Sequence, residues 1–428
     1  MTAGADRFPE DRDEVDRGFA GFTRSGDARD STVPFEQIGQ SAVKRLWRQK
    51  SEDTGGHRAY ALANILPVVT AVLSDLHLGT RSRADVLRRP AIRRILFDTL
   101  AAVDQIVLLG DVIELREQAL PDVLDIALPF FDELGEALPG KPITVLAGNH
   151  DHRLVEEWLE QRRLEGMPLN LEQRTSPSAS RLLALIAKRM PRNQVELAYP
   201  GVWLRPGTYA THGHYIDAHM SIPRLEAIAV AATARMTGGL PPEGRTPDDY
   251  EAALTPLYAF AYALAQGSPR ARRVLGMDLS RNVWKRIDGS NGGVTNRALR
   301  GVAIPSAVWA LNRAGLGPFD AKITGHRLRE SGLEGMRDLV SALAIDAAEI
   351  VFGHTHRPGP LPTDRAWDRR LFNTGSWLYE PNLLGSEPGK TPYWPGCVVF
   401  IEDDRPPRLE SVLLDASHED LGAGDAYS

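Results

Sequence analysis

VVTAVLSD (68–75), PAIRRILFDTLAAVD (90–104) and QIVLLGD (105–111) decide the fold class. The first and third are short runs rich in Val, Ile and Leu that end in polar residues, the pattern of buried strands. Between them, Pro90 suits a first helical turn, and Ile92, Ile95, Leu96, Leu100 and Val103 recur on one helical face. Strand, helix, strand in succession predicts an α/β architecture. Three further runs repeat the strand pattern: ITVLAGNHD (143–151), TYATHGH (208–214) and EIVFGHTH (349–356). PDVLDIALPFFDELGEAL (121–138) predicts a second helix, kinked at Pro129. RRLFNTGSW (369–377), CVVFIED (397–403) and RLESVLLD (408–415) add strands with no helix between them, so the sheet is mixed or is a pair of packed sheets.

Two stretches depart from this frame. Residues 1–66 contain PEDRDEVDR (9–17) and small polar runs, too hydrophilic to offset the entropy of ordering, and predict a flexible charged tail. Ile38–Lys50 within it reads as a short basic amphipathic helix. Residues 215–345 carry helical patterns such as RLEAIAVAATARM (224–236), YEAALTPLYAFAYALAQ (250–266) and NRALRGVAIPSAVWALNRAG (296–315). Lying between two histidine motifs, they read as a helical insertion. Its aromatic residues Tyr258, Phe260, Tyr262, Trp284 and Trp309 suit a subdomain core or an apolar wall.

Composition bounds the function. The 428 residues are 43% hydrophobic and 25% charged, with a formal net charge of −6. That balance suits a soluble globular protein and disfavours a basic nucleic-acid surface. The cluster Arg270–Arg273 reads as a solvated helix face. A lone cysteine, Cys397, sits in an apolar strand and excludes a disulfide framework or a thiolate-rich metal site. The charged N-terminus lacks a signal peptide's apolar core, and no apolar run is long enough to span a bilayer, so a cytoplasmic location is expected.

The histidines gather where apolar runs end, among carboxylates and amides: Asp75 and His77, Asp111, Asn149-His150-Asp151, His212 and His214, His354 and His356. Residues two apart in an extended segment point the same way, so Asp75/His77 and His354/His356 can each present two ligands together. Ligand sites in α/β sheets lie beyond the carboxyl ends of strands, where these residues fall. Glycines before Asp111, Asn149 and His354 allow close backbone approach. Imidazole, carboxylate and amide oxygen without thiolate suit Mn, Fe, Zn, Ni or Co. Seven candidate ligands are too many for one ion and fit two that share a carboxylate. Such a pair clamps the attacking and leaving oxygens of an in-line displacement on phosphorus.

The ordered set D-x-H, G-D, G-N-H-D, H-G-H and G-H-x-H resembles the calcineurin-like metallophosphoesterase superfamily. The resemblance implies an αββα double-sheet sandwich of mixed strands, with a catalytic domain over 67–214 and 346–418. It leaves 215–345 as the insertion and 419–428 as a C-terminal tail. It implies a phosphoric ester hydrolase with two divalent metal ions, manganese foremost, acting on a small phosphorylated substrate. One metal would take Asp75, His77 and His356, the other Asn149, His212 and His354, with Asp111 bridging. A metal-bridging water would be the nucleophile and His150 the proton donor, with Asp151 beside it holding the imidazole. His214 and Arg357 are candidates for substrate contact.

Other residues take plainer readings. His152, His219 and His326 read as surface or helix residues, Glu114 as a helix-start acid, and Asn373–Ser376 as a turn near the last motif. The insertion also resembles the helical cap of UDP-diacylglucosamine hydrolases. Those enzymes typically carry arginine where His150 stands, and their insertion is shorter, so a lipid-linked pyrophosphohydrolase is the runner-up. A non-catalytic scaffold on the same fold is the third reading, disfavoured because all seven ligands are present. The sequence does not set the physiological substrate or the oligomeric state.

Overall fold

The deciding stretch folds as expected into β1 (Val69–Leu73), α1 (Pro90–Leu100) and β2 (Gln105–Leu109), with β1 and β2 parallel. Pro90 stands in the first turn of α1; Ile92, Leu96 and Leu100 are buried, but Ile95 is exposed. Helix α2 (Leu120–Ala137) runs through Pro129 and leads to β3 (Ile143–Leu146). Then come α3 (Arg153–Leu164), β4 (Glu172–Thr175), α4 (Arg181–Ala187), β5 (Val195–Arg205) and β6 (Thr208–Thr211). The insertion contributes α5 (Leu225–Met236), α6 (Pro247–Gln266), α7 (Ile304–Arg313) and α8 (Gly325–Ala342). The chain closes with β7 (Glu349–Phe352), β8 (Arg370–Asn373), β9 (Cys397–Glu402), β10 (Arg405–Ser411) and the single turn α9 (His418–Leu421).

This computed structural model describes residues 68–223, 225–236, 238–267, 304–321, 325–362, 364–380, 391, 393–403 and 405–422. All lie in the unit Pro67–Ser428. The expected tail with its helix Ile38–Lys50, the cluster Arg270–Arg273, Trp284 and the side chain of His326 lie outside the described residues.

The strands follow one hydrogen-bonded path, β10-β9-β1-β2-β3-β5-β6-β7-β8, with β4 paired to β5. β3 is parallel to β5, and β5 is antiparallel to β6, so β3 and β6 run in opposite senses along the path. Their carboxyl ends nevertheless meet, since His212 Nε2 after β6 lies 3.2 Å from the carboxylate of Asp111 after β2. The path must therefore turn over within β5, and the burial pattern agrees. Val195–Leu197 pair with β3, whereas Gly201–Arg205 pair with β6. At the junction stand Pro200, which has no amide proton, and Gly201, the first residue paired with β6, where any side chain would overlap the Tyr209 ring.

Alternation along the strands builds three cores. Ala71 and Leu73 face α1–α4, while Val72 between them faces inward; in β7, Ile350 and Phe352 face α5–α8, while Val351 faces inward. The inward set, including Val72, Val107, Val202, Ala210, Val351 and Val399, is the core between the two sheet layers. The αββα sandwich is thus realised with its layers joined through β5. Helix α8 packs Met336, Leu339 and Val340 on β6 and β7 and is the crossover that parallel strands require. At the other end, Leu421 is buried in the first core, so the chain remains packed past residue 418.

Candidate metal centre

Every candidate ligand lies in a loop just beyond a strand's carboxyl end: Asp75 after β1, Asp111 after β2, Asn149 after β3, His212 after β6 and His354 after β7. The expected convergence occurs, but not through extended backbone. Asp75, His77, Asp111, His354 and His356 all have positive φ, between 44° and 64°. Left-handed backbone at a non-glycine residue costs on the order of 1–3 kcal/mol and collects at functional sites. The loops are tied together, with Asp75 N–H donating to Gly110 O (3.1 Å) and His77 N–H to Asp111 O (2.9 Å). A Cβ at Gly148 would overlap Asp111 and the His212 ring, and one at Gly353 would overlap Ser74 and Asp75. These two positions need glycine for space.

The ligand atoms form overlapping groups. Asp75, His77 and His356 bring their donor atoms together, as do Asp111, His212 and His354, while His77, Asp111 and His150 form a third cluster. His356 Nε2 lies 3.1 Å from Asp75 Oδ1 and 3.1 Å from His77 Nε2. Asp111 Oδ2 lies 3.7 Å from His77 Nε2 and 3.2 Å from His212 Nε2, placing this carboxylate between the two groups.

Each of three imidazoles has its other nitrogen fixed by an acceptor. His77 Nδ1 meets Glu114 Oε2 (3.0 Å), His212 Nδ1 donates to Leu109 O (2.9 Å), and His354 Nε2 meets Asp217 Oδ1 (2.9 Å). That arrangement fixes the tautomer and turns the free lone pair inward, as metal-bound histidine requires. The Asn149 amide lies between this cluster and Arg116. With its oxygen on Arg116 Nη1 (2.7 Å), its NH2 donates to His354 Nδ1 (3.0 Å) and Asp111 (3.2 Å). Turned over, its oxygen joins the inward acceptors, 3.3 Å from His212 Nε2. A cation among these lone pairs would select the second orientation.

Charge points the same way. Asp75, Asp111, Glu114, Asp151 and Asp217 are all buried here. Burial drives the His77 pKa down, but Glu114, Asp111 and Asp75 outweigh it and carry it up to about 10. His212 is likewise carried to about 9, chiefly by Asp111 against its burial. Buried carboxylates that draw protons onto neighbouring imidazoles make a site that holds positive charge.

The structure corrects several side-chain readings. Asp151 does not hold His150: its carboxylate accepts backbone N–H groups of Gly148 (2.7 Å), Val112 (2.7 Å), Asp111 (3.2 Å) and Ile113 (3.4 Å). Burial and the Asp111 charge push its pKa up to about 6. The carboxylate on the His150 ring is Glu114, 2.6 Å from Nδ1, so Glu114 is no helix-start acid but a bridge between His77 and His150. His214 is buried and meets the Tyr199 hydroxyl (3.1 Å). His152 is buried on Glu251 of α6 (2.9 Å). Arg357 is buried, donates to the Tyr393 hydroxyl and stacks over its ring. Asn373 donates to Gly353 O (3.0 Å) and Thr355 Oγ1 (2.9 Å), so the Asn373–Ser376 loop braces the His354 loop.

The mouth of the site is set by exposure: the side chains of His150 and His356 are 16% and 30% exposed, and the other ligands are buried. In the insertion, Tyr258 is buried and Tyr262 partly so, whereas Phe260 and Trp309 face solvent. Glu114, Arg116, Asp217 and Glu251 are the functional neighbours that the sequence reading missed.

Residues 68–230 match the family model of calcineurin-like phosphoesterases. His354 and His356 lie beyond that match and reach the site through β7, which pairs with β6 inside it. Among solved structures, a cold-active protein-tyrosine phosphatase of a psychrophile, Shewanella sp., aligns over 81% of this chain and 78% of its own. Its identity of 12% and TM-score of 0.28 are too low to bear on the assignment. No curated protein matches the chain.

Proposed function

We propose, from the match of residues 68–230 to the calcineurin-like phosphoesterase family model, that the chain hydrolyses phosphoric esters at a centre of two divalent cations. The observation that carries the reading is the placement of the Asp111 carboxylate between His77 and His212, with a complete ligand group on either side. Asp75, His77 and His356 would hold one cation, Asn149, His212 and His354 the other, and Asp111 would serve both. Oxygen and imidazole donors without thiolate favour manganese, with Fe, Zn, Ni or Co as alternatives. When bound, such ions supply Lewis acidity toward phosphoryl oxygens and a water nucleophile at neutral pH.

The protein's own residues do the rest. Counting only the directly liganding carboxylates Asp75 and Asp111, two dications would keep a local charge of about +2 toward a phosphate anion. Glu114 accepts from His150 Nδ1, orienting the ring so that Nε2 can protonate the leaving oxygen at the open mouth. Asp151 fixes the turns that aim Asp111 and Asn149 by collecting their backbone N–H groups. The substrate is a small phosphorylated molecule, and the insertion selects among such substrates without contributing a ligand. A cytoplasmic location suits a chain with one cysteine. No helix among the described residues is long and apolar enough to cross a membrane.

The test is a hydrolysis screen of monoester and diester model substrates, then nucleotide, dinucleotide and lipid phosphates, each with Mn, Fe, Zn and Mg. Metal-dependent turnover of any class supports the reading. Bound metal without turnover of any class would return the scaffold reading.

A further inference from the structure

Glu251 is a carboxylate on the buried face of an insertion helix. It lies on α6 beside Tyr250, Leu254 and Tyr258, which pack in the core of the second helical layer. A charge in that position is costly unless fully hydrogen-bonded. Glu251 is 4% exposed and receives four donors. Oε1 accepts from the Tyr199 and Tyr215 hydroxyls, the latter at 2.6 Å; Oε2 accepts from Thr255 Oγ1 (2.8 Å) and meets His152 Nε2 (2.9 Å). Four donors fill the capacity of a carboxylate.

Three of those donors lead to the same group of ligands. His152 follows Asn149-His150-Asp151 in the loop after β3. The Tyr199 hydroxyl meets His214 Nε2 (3.1 Å), two residues after His212. Tyr215 belongs to the single 3-10 turn His214–Ala218, which also carries Asp217, the acceptor for His354 Nε2 (2.9 Å). Asn149, His212 and His354 are therefore each joined to one carboxylate of the insertion by one or two hydrogen bonds and two or three residues of chain. Asp75 and His77 have another support: Glu114 on His77, and Trp377, whose N–H donates to Asp75 O (3.0 Å).

We propose that Glu251 is a positioning residue for one cation of the pair, locking the Asn149 and His212 loops into a single ligand set while leaving the other cation's ligands untouched. The inference rests on the two-cation reading above and adds to it an asymmetry between the two positions. The insertion becomes a working part of the metal centre through α6, beyond its part in substrate selection.

The test is calorimetric titration of Mn2+ into the metal-stripped full-length protein, wild type against Glu251→Gln. The amide keeps the size of the side chain but turns an N–H toward donors. The expected result is one position at wild-type affinity and one weakened by roughly 10–100-fold, the usual cost of losing a ligand's support. Tyr215→Phe removes one donor only and supplies the same readout if Glu251→Gln folds poorly; a smaller loss at the same position is expected. Two unchanged affinities, or two lowered equally at an unchanged melting temperature, would overturn the inference. A wild-type protein that takes up no Mn2+ would instead overturn the two-cation reading itself.

Discussion

Asp75 and His77 are braced within the strand-end frame, by the Trp377 N–H and by Glu114. Asn149, His212 and His354 are braced by Asp217 and, through His152, Tyr199 and Tyr215, by a helix of the insertion. The contrast extends to solvent, since His356 sits at the mouth of the site and His212 is fully buried. Two ligand groups that look equivalent as motifs thus depend on different amounts of the chain. On the proposal above, the first leans on the sandwich and the second leans also on the helical layer packed on it.

Substitutions can break that contrast, the largest effect coming where the two groups share a residue. Asp111→Asn should release both ions, and metal analysis should find the loss at both positions; a variant that keeps one ion at full affinity would remove Asp111 from the bridge. His150→Asn should spare both positions while lowering turnover by ~10²–10⁴-fold, the usual worth of general acid help. That loss should shrink for nitrophenolate and grow for an alkoxide leaving group. His212→Asn is the matched control, and there metal should be lost first.

Smaller changes sharpen the comparison. Glu114→Gln should cost roughly 10–100-fold in metal affinity on the His77 side, and turnover should fall further because His150 loses the same partner. Gly148→Ala and Gly353→Ala form a matched pair. The first intrudes on Asp111, which serves both ions, and on His212, whereas the second intrudes on Asp75, so Gly148→Ala should weaken both ions and Gly353→Ala chiefly the one on the Asp75 side in the same titration. Identical profiles for the two would mean that the groups are not separable.

The mildest effect is one of pH. His219 is half-buried against the Tyr250 hydroxyl (2.7 Å), and burial together with the Arg245 charge pushes its pKa down to about 4 from an ordinary 6.5. Between those values the unfolded chain takes a proton that the folded one refuses, so stability falls as pH drops from 6.5 toward 4. In metal-stripped protein, His219→Gln should flatten the melting temperature over that window; an unchanged slope would deny His219 the role.

What the sequence made legible follows from the range of the forces involved. Eight of the strands are apolar runs, and seven ligands stand at the ends of five of them, so local pattern finds both. β4, reading EQRT, is polar and mostly half-exposed, and β5 is broken by Pro200 and Gly201 where the sheet turns over; neither has a clean alternation. Glu114 lies three residues after Asp111 in the same loop and was within reach, as was Asp217 just after His214. Glu251 is different, for its partner His152 is 99 residues away. Its one local signal is an acid on the apolar face that Leu254 and Tyr258 define. Ile95 shows the converse, an apolar residue in helical phase that the fold leaves in solvent.

The most direct measurement counts metal in the wild-type protein after reconstitution with Mn2+ and removal of excess. One carboxylate serving two ligand groups predicts about two ions per chain, released together by Asp111→Asn. A count that stays at zero after trials with Mn, Fe, Zn and Co would contradict the account.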